Sequence, residues 1–147
     1  TVCVTGGEPL AQKASPRLLS ALCNAGYAVS LETSGAFDIT AIDRRVARIV
    51  DLKAPDSGES EKNLWTNLDD LTGHDELKLV LASEADYAWA KSVIATRRPD
   101  KRCPVLLSPV PDRLDPATLA EWILRDRLPV RFQLQIHKIL WGEQPGR

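Results

Sequence analysis

Apolar and polar positions change their period repeatedly along this chain. Val2 to Thr5 is a short β-branched run, after which Leu18, Leu19, Leu22 and Ala25 recur at helical spacing. Ser15-Pro16 gives that helix an N-cap with proline at the first helical position, and Gly26 closes it. Tyr27 to Glu32 predicts a second strand, ending in Glu32-Thr33-Ser34-Gly35. A short helix is predicted over Ile39 to Ala47, then a strand from Arg48 to Lys53. Residues 54–76 are a polar excursion holding Pro55, Ser57-Gly58-Glu59 and Trp65. Leu77 to Leu81 reads as a fourth strand, and Ser83 with Asp86 resembles a capping box that opens a helix to about Arg98. Cys103 to Leu107 is a fifth strand, ending in Ser108-Pro109-Val110-Pro111. Asp115-Pro116 caps a helix carrying Leu119, Trp122 and Ile123. Val130 to Ile136 is the last predicted strand, and the tail after Trp141 is polar and reads as frayed.

Strands alternating with helices imply right-handed βαβ crossovers and a parallel sheet, open or curled into part of a barrel. There is no repeat and no linker, so residues 1–147 read as one domain, large enough to bury a core. With 19 basic and 20 acidic residues, the chain carries no strong field for nucleic acid or a membrane surface. No apolar run approaches a membrane span, and the first residues are strand-like rather than a signal peptide. Cys3, Cys23 and Cys103 are odd in number and far apart, which points to free thiols in a reducing compartment. They read as small buried hydrophobes, not as a metal knuckle. The chain has no methionine and opens inside a strand, so it is expected to be a fragment whose upstream part is missing.

Chemistry enters at the strand ends, where parallel α/β architectures bind their ligands. The run Thr5-Gly6-Gly7-Glu8-Pro9-Leu10 puts two glycines and a carboxylate after the first strand. Paired glycines let the backbone approach a ligand, and the glutamate offers an acceptor for an ammonium group. That is a cradle for an amino acid-like moiety; the longer glycine spacing and the lysine of a P-loop are lacking. The same residues also make a plain strand-to-helix turn, and the run alone does not choose. Further ends supply Glu32, Asp51-Leu52-Lys53, Lys78, Ser108-Pro109-Val110, Gln135 and His137. Each has a bland counterpart. Glu32 and Asp51 are also helix caps, Lys53 and Lys78 ordinary ion-pair partners, and His137 a structural histidine. Trp65, Trp89, Trp122 and Trp141 read as core and rim packing.

In sequence order, Thr5-Gly6-Gly7-Glu8-Pro9-Leu10, Glu32-Thr33-Ser34-Gly35, Asp51-Leu52-Lys53, Asp75-Glu76-Leu77-Lys78, Ser108-Pro109-Val110 and Gln133-Leu134-Gln135-Ile136-His137-Lys138 resemble the 7-carboxy-7-deazaguanine synthases. These are radical S-adenosylmethionine lyases of queuosine and 7-deazapurine biosynthesis. Gly-Gly-Glu-Pro is shared across the wider superfamily, whereas the Ser-Pro-Val strand end and the Gln-Leu-Gln-Ile-His-Lys ending point to this family. The resemblance implies an α/β fold, a partial (β/α) barrel with a mostly parallel sheet: a radical SAM core lacking its first strand. It implies a [4Fe-4S] cluster, S-adenosylmethionine and Mg²⁺, with 6-carboxy-5,6,7,8-tetrahydropterin as substrate.

By that resemblance Gly6, Gly7 and Glu8 hold the methionine end of the cofactor, and Asp51, Leu52 and Lys53 contact it. Ser108, Pro109, Val110 and Pro111 line its adenosine side, Thr5 contacts substrate, and Glu32 and His137 face the pterin. The family's cluster cysteines and its threonine near Mg²⁺ precede the Gly-Gly-Glu strand, so they are expected upstream of Thr1. The chain alone is then expected to be inactive. The resemblance further implies a homodimer, an external electron donor and a cytoplasmic setting. Two rivals share some of these features: a glycyl-radical activase, through Gly6-Gly7-Glu8-Pro9, and a non-catalytic α/β binding module.

Overall fold

Strand alternation sets the architecture. In the strand Ala47–Lys53 (β3), Arg48, Val50 and Leu52 are buried while Ala47, Ile49, Asp51 and Lys53 are half-exposed. The strand Glu76–Leu81 (β4) repeats this, with Leu77, Leu79 and Leu81 inside and Glu76, Lys78 and Val80 on the other face. In Val29–Ser34 (β2) the buried set is Val29, Leu31 and Thr33. One face of the sheet is therefore apolar and packs on helices, and the opposite face carries the charged residues.

The computed structural model describes residues 1–136, 140 and 142. Val2–Val4 (β1), β2, β3, β4, Val105–Pro109 (β5) and Arg131–Phe132 (β6) form one six-stranded sheet in the order β1-β2-β3-β4-β5-β6. Every neighbouring pair is parallel. Strictly sequential order without reversal is the winding of a barrel, not of a doubly wound sheet. The sheet does not close, so the expected partial barrel is observed.

Helices Ser15–Asn24 (α1), Glu84–Arg97 (α3) and Pro116–Asp126 (α4) cover the apolar face, with a single turn at Asn67–Asp70 (α2). The main core packs Val50, Leu52, Leu77, Leu79 and Leu81 against Tyr87, Ala90 and Ile94 of α3 and Leu119 of α4. A second cluster joins Leu19 of α1 to Val29 and Leu31, with Ile42 and Val46 beneath. Each such side chain, fully buried, contributes roughly 1.5–3 kcal/mol.

Below the site, Arg48 is 2% exposed and its guanidinium donates to Asp75 at 2.7 and 2.9 Å and also to Asp70. This ion-pair network lies at the amino end of β3, away from the carboxyl ends of the strands. Burial raises the Asp75 carboxyl, but the Arg48 hydrogen bonds outweigh it and hold the group down at about 2.

Several expectations are corrected. The stretch expected as a helix, Ile39 to Ala47, instead forms turns up to residue 46 and enters β3 at Ala47, because Asp38 accepts from Thr40 N at 2.8 Å and Asp43 from Arg45 N at 3.0 Å. Such local side-chain bonds compete with helix formation. The last strand is only Arg131–Phe132 rather than Val130 to Ile136. The polar excursion contains α2 and 3₁₀ turns at Pro55–Ser57 and Ser60–Lys62. Cys103 is buried, but Cys23 is half-buried and Cys3 exposed, since Cys3 points from β1 toward the charged face. Trp65, Trp89 and Trp122 pack at the rim of the core as expected; Trp141 lies outside the described residues.

Candidate functional site

The first loop turns on Gly6 (φ 91°) and Gly7 (φ 54°), left-handed conformations that other residues adopt only with strain. A Cβ built on either would meet nothing within 4 Å, so the glycines leave open space beside the backbone. Glu8 then folds back across the sheet. Its Oε1 accepts from Thr33 Oγ1 at 2.6 Å and Leu10 N at 2.9 Å, and its Oε2 from Ser34 N at 2.7 Å. Burial raises the Glu8 carboxyl, yet these hydrogen bonds leave it below the usual carboxylate range. Three of about four acceptor positions are thus satisfied by the protein. Glu8 fixes the cradle to the end of β2 and leaves one acceptor position on Oε2 open.

Register brings the other polar residues together. Ser34, Asp51, Lys78, Leu106 and Arg131 lie side by side across five strands. Lys53, Val80 and Ser108 make the next row toward the carboxyl ends. Two cavities open on this rim. One is lined by Gly7, Glu8, Thr5, Glu32 and Lys78, the other by Val80, Ala82, Asp56, Val110 and Arg113; Asp51 and Lys53 border both.

At that shared wall, Lys53 Nζ donates to Asp51 Oδ2 at 2.7 Å. The other oxygen, Asp51 Oδ1, is buried and has no hydrogen-bond partner among the described residues. A buried carboxylate oxygen without a donor is costly, and its natural complement is an N–H or ammonium from a ligand.

The remaining predicted residues divide. Thr5 Oγ1 donates to Glu32 Oε2 at 3.2 Å, so this pair stands together on the first cavity. Neither Glu32 nor Asp51 caps a helix. Leu52 is 1% exposed and points into the core, which leaves only its backbone for a ligand. Ser108 is fully buried, its Oγ donating to Gln133 O at 2.8 Å, and Pro109 is buried too. Of the four residues Ser108 to Pro111, Val110 reaches a cavity wall; Pro111 is half-buried and lines neither cavity. His137 lies outside the described residues. Among the described residues Lys78 forms no ion pair.

Sequence reading missed Asn63. Its side chain accepts from Lys53 N at 3.0 Å and donates to Lys53 O at 2.8 Å, prolonging the ladder where β3 runs past the end of β2. A Cβ on Gly35 would press on Asn63 Oδ1 and Leu52 at 3.3 Å, so that glycine admits the clamp. A lone asparagine inside a polar stretch gave no periodic signal.

No family model matches the chain. Among curated relatives, a 7-carboxy-7-deazaguanine synthase of Chlorobaculum tepidum is 50% identical over 142 residues, covering 95% of this chain and 64% of the relative. The protein of the same name from Koribacter versatilis is 38% identical, covering 94% and 67%, and that from Thermoplasma acidophilum 30% identical, covering 99% and 69%. The chain thus spans 64–69% of the length of these three relatives. In structure it is similar to QueE from Escherichia coli, with TM-score 0.69 and 22% identity, over 90% of this chain and 55% of that one. Streptococcus suis SuiB gives TM-score 0.57 at 12% identity over 90% and 38%. These likenesses show a shared fold.

Proposed function

The chain belongs to the family of the 7-carboxy-7-deazaguanine synthases, and we propose that its rim binds S-adenosylmethionine beside 6-carboxy-5,6,7,8-tetrahydropterin, for conversion to 7-carboxy-7-deazaguanine with loss of ammonia. The observation that carries this reading is the unpartnered Asp51 Oδ1, buried between the two cavities and next to the open glycine cradle. It fits a ligand that presents a cationic or N–H donor. Gly6 and Gly7 let the ligand's amino acid end lie against the backbone, with Glu8 Oε2 accepting a further hydrogen bond. Lys53 balances the Asp51 charge and faces a ligand carboxylate. Val80 and Val110 give the second cavity an apolar wall for an adenine-like ring, and Thr5 with Glu32 offers a donor and acceptor pair to the pterin.

When bound, S-adenosylmethionine supplies the hydrogen-abstracting chemistry; the chain supplies position and exclusion of water. A [4Fe-4S] cluster does not fit this chain's own thiols. Cys103 belongs to the main core, Cys23 packs on the second cluster and Cys3 is on the open face. Among the described residues no three His, Cys, Asp or Glu side chains group to hold a metal ion, Mg²⁺ included. The same reading carries a homodimer and an external electron donor as partners, in a cytoplasmic setting. Among the described residues no helix is long and apolar enough to cross a membrane.

Calorimetric titration of S-adenosylmethionine onto the chain and its Asp51→Asn variant tests the proposal. Binding to the parent chain, weakened roughly tenfold in the variant, is expected, because one charge-assisted hydrogen bond is lost. Equal binding by both proteins, or none by either, overturns it.

A further inference from the structure

Asp86 is a carboxylate whose burial the helix cap does not explain. It stands at the third position of α3, where Ser83 Oγ already caps the helix by accepting from Asp86 N at 3.2 Å. The cap needs no charge at this position, yet the Asp86 side chain is buried at 1% exposure. Among the described residues no cation pairs with it. Its two oxygens instead take backbone donors from two different loops. Oδ1 accepts from Asp56 N at 3.0 Å, in the turn after β3, and Oδ2 accepts from Ala82 N at 2.9 Å, just after β4. The Asp56 side chain continues the link, because Arg113 Nη2 donates to its Oδ2 at 3.3 Å from the loop after β5. Three consecutive strand-end loops are thereby joined, and Asp56, Ala82, Asp86 and Arg113 all line the second cavity.

We propose that Asp86 is a positioning residue for this cavity. It fixes the 55–58 turn over the ligand and, through Asp56, sets where the Arg113 guanidinium stands at the mouth. The physical case is one of cost and geometry. A buried carboxylate is retained only where its acceptor positions are filled, and here the donors are two loops that, past the last paired residues Lys53 and Val80, no other hydrogen bond among the described residues joins. An isosteric amide keeps one acceptor and turns the other into a donor facing an N–H. One loop is then released, while the core and the α3 cap remain. That the ligand is S-adenosylmethionine rests on the proposed function; that Asp86 holds the loops does not.

Amide hydrogen exchange on the parent chain, Asp86→Asn and Arg113→Gln, each with and without S-adenosylmethionine, separates the two. In the parent, the ligand should slow exchange across 51–58 and 110–113. Asp86→Asn should speed ligand-free exchange at Asp56 or Ala82 roughly tenfold or more, as one buried hydrogen bond is lost. It should also abolish ligand-dependent slowing in whichever of the two loops is released, with β3 and β4 still protected. Arg113 is more than half exposed, so Arg113→Gln folds; it should lose ligand protection at 110–113 and leave ligand-free exchange at 55–58 unchanged. Unchanged ligand-free exchange in Asp86→Asn overturns the staple. Full ligand protection in that variant overturns its positioning role. If the parent shows no ligand-dependent slowing, the cofactor assignment fails instead, and the ligand-free comparison still decides whether Asp86 holds the loops.

Discussion

Replacing Glu8 by glutamine asks how much of the cradle depends on one carboxylate. The amide has one acceptor oxygen where the carboxylate has two. If its NH₂ takes the Oε2 place, it meets the donor Ser34 N–H; if it takes the Oε1 place, it meets Leu10 N–H. Thr33 adapts in either case, because its hydroxyl can turn to accept. One backbone N–H is stranded whichever way the amide lies, at about 1–3 kcal/mol. The bonds that survive lose their charge assistance, which is about half their strength. Glu8 is half-buried and water reaches part of the site, so we expect the total near 2 kcal/mol at pH 7.

For a chain of 147 residues that corresponds to a fall of roughly 4–8 °C in Tm. The folded Glu8 carboxyl lies below its ordinary value of 4.5. Its contribution is therefore present above that value and is lost as pH falls through the depressed one. The gap between parent and variant should close in acid. Urea unfolding followed by tryptophan fluorescence, repeated from neutral to acid pH, reads both effects. A variant within about 0.5 kcal/mol of the parent at pH 7, the size of an ordinary surface substitution, would refute the claim that Glu8 ties the two loops together.

Two further outcomes follow from the same geometry. Asp75→Asn leaves Arg48 buried without its main partner and should cost about 3–5 kcal/mol in urea unfolding. In the parent, Asp75 is held down at about 2 from an ordinary 3.8, so it contributes roughly 2–3 kcal/mol above pH 4 that disappears as pH approaches 2. A melting temperature that is as acid-sensitive in the variant as in the parent would count against this. Gly7→Ala should cost about 1–2 kcal/mol by placing a Cβ at φ 54°, and the methyl group, entering open space, should weaken S-adenosylmethionine binding. Unchanged stability and unchanged calorimetric affinity would reduce Gly7 to an ordinary turn residue.

Where sequence and structure agree, the signal was local. The strands and long helices follow from periodicity within a few residues, and Ser83 and Asp115 cap α3 and α4 by accepting from Asp86 N and Thr118 N. Where they part, the deciding partner is far along the chain. Glu8 reads as a wholly free acceptor, but Thr33 and Ser34, 25 and 26 residues on, take two of its acceptor positions. Arg48 looks like an ordinary strand-start residue until Asp75, 27 residues away, closes on it. The Ile39 to Ala47 segment has the apolar spacing of a helix, and its three buried residues Ile39, Ile42 and Val46 do face inward. Asp38 and Asp43 divert the backbone all the same.

Strand parity, legible in the sequence, divides two of the motifs. Successive strand residues point to opposite faces, so Asp51-Leu52-Lys53 cannot place all three side chains on one ligand. If Asp51 and Lys53 face the rim, Leu52 faces the core, as its burial confirms. The same parity separates Pro109 from its neighbours in the second motif. A contact assigned to Leu52 or Pro109 must therefore run through the backbone. Substituting those side chains should disturb ligand binding only as far as it disturbs the core, whereas Asp51, Lys53 and Val110 line the cavities with their side chains.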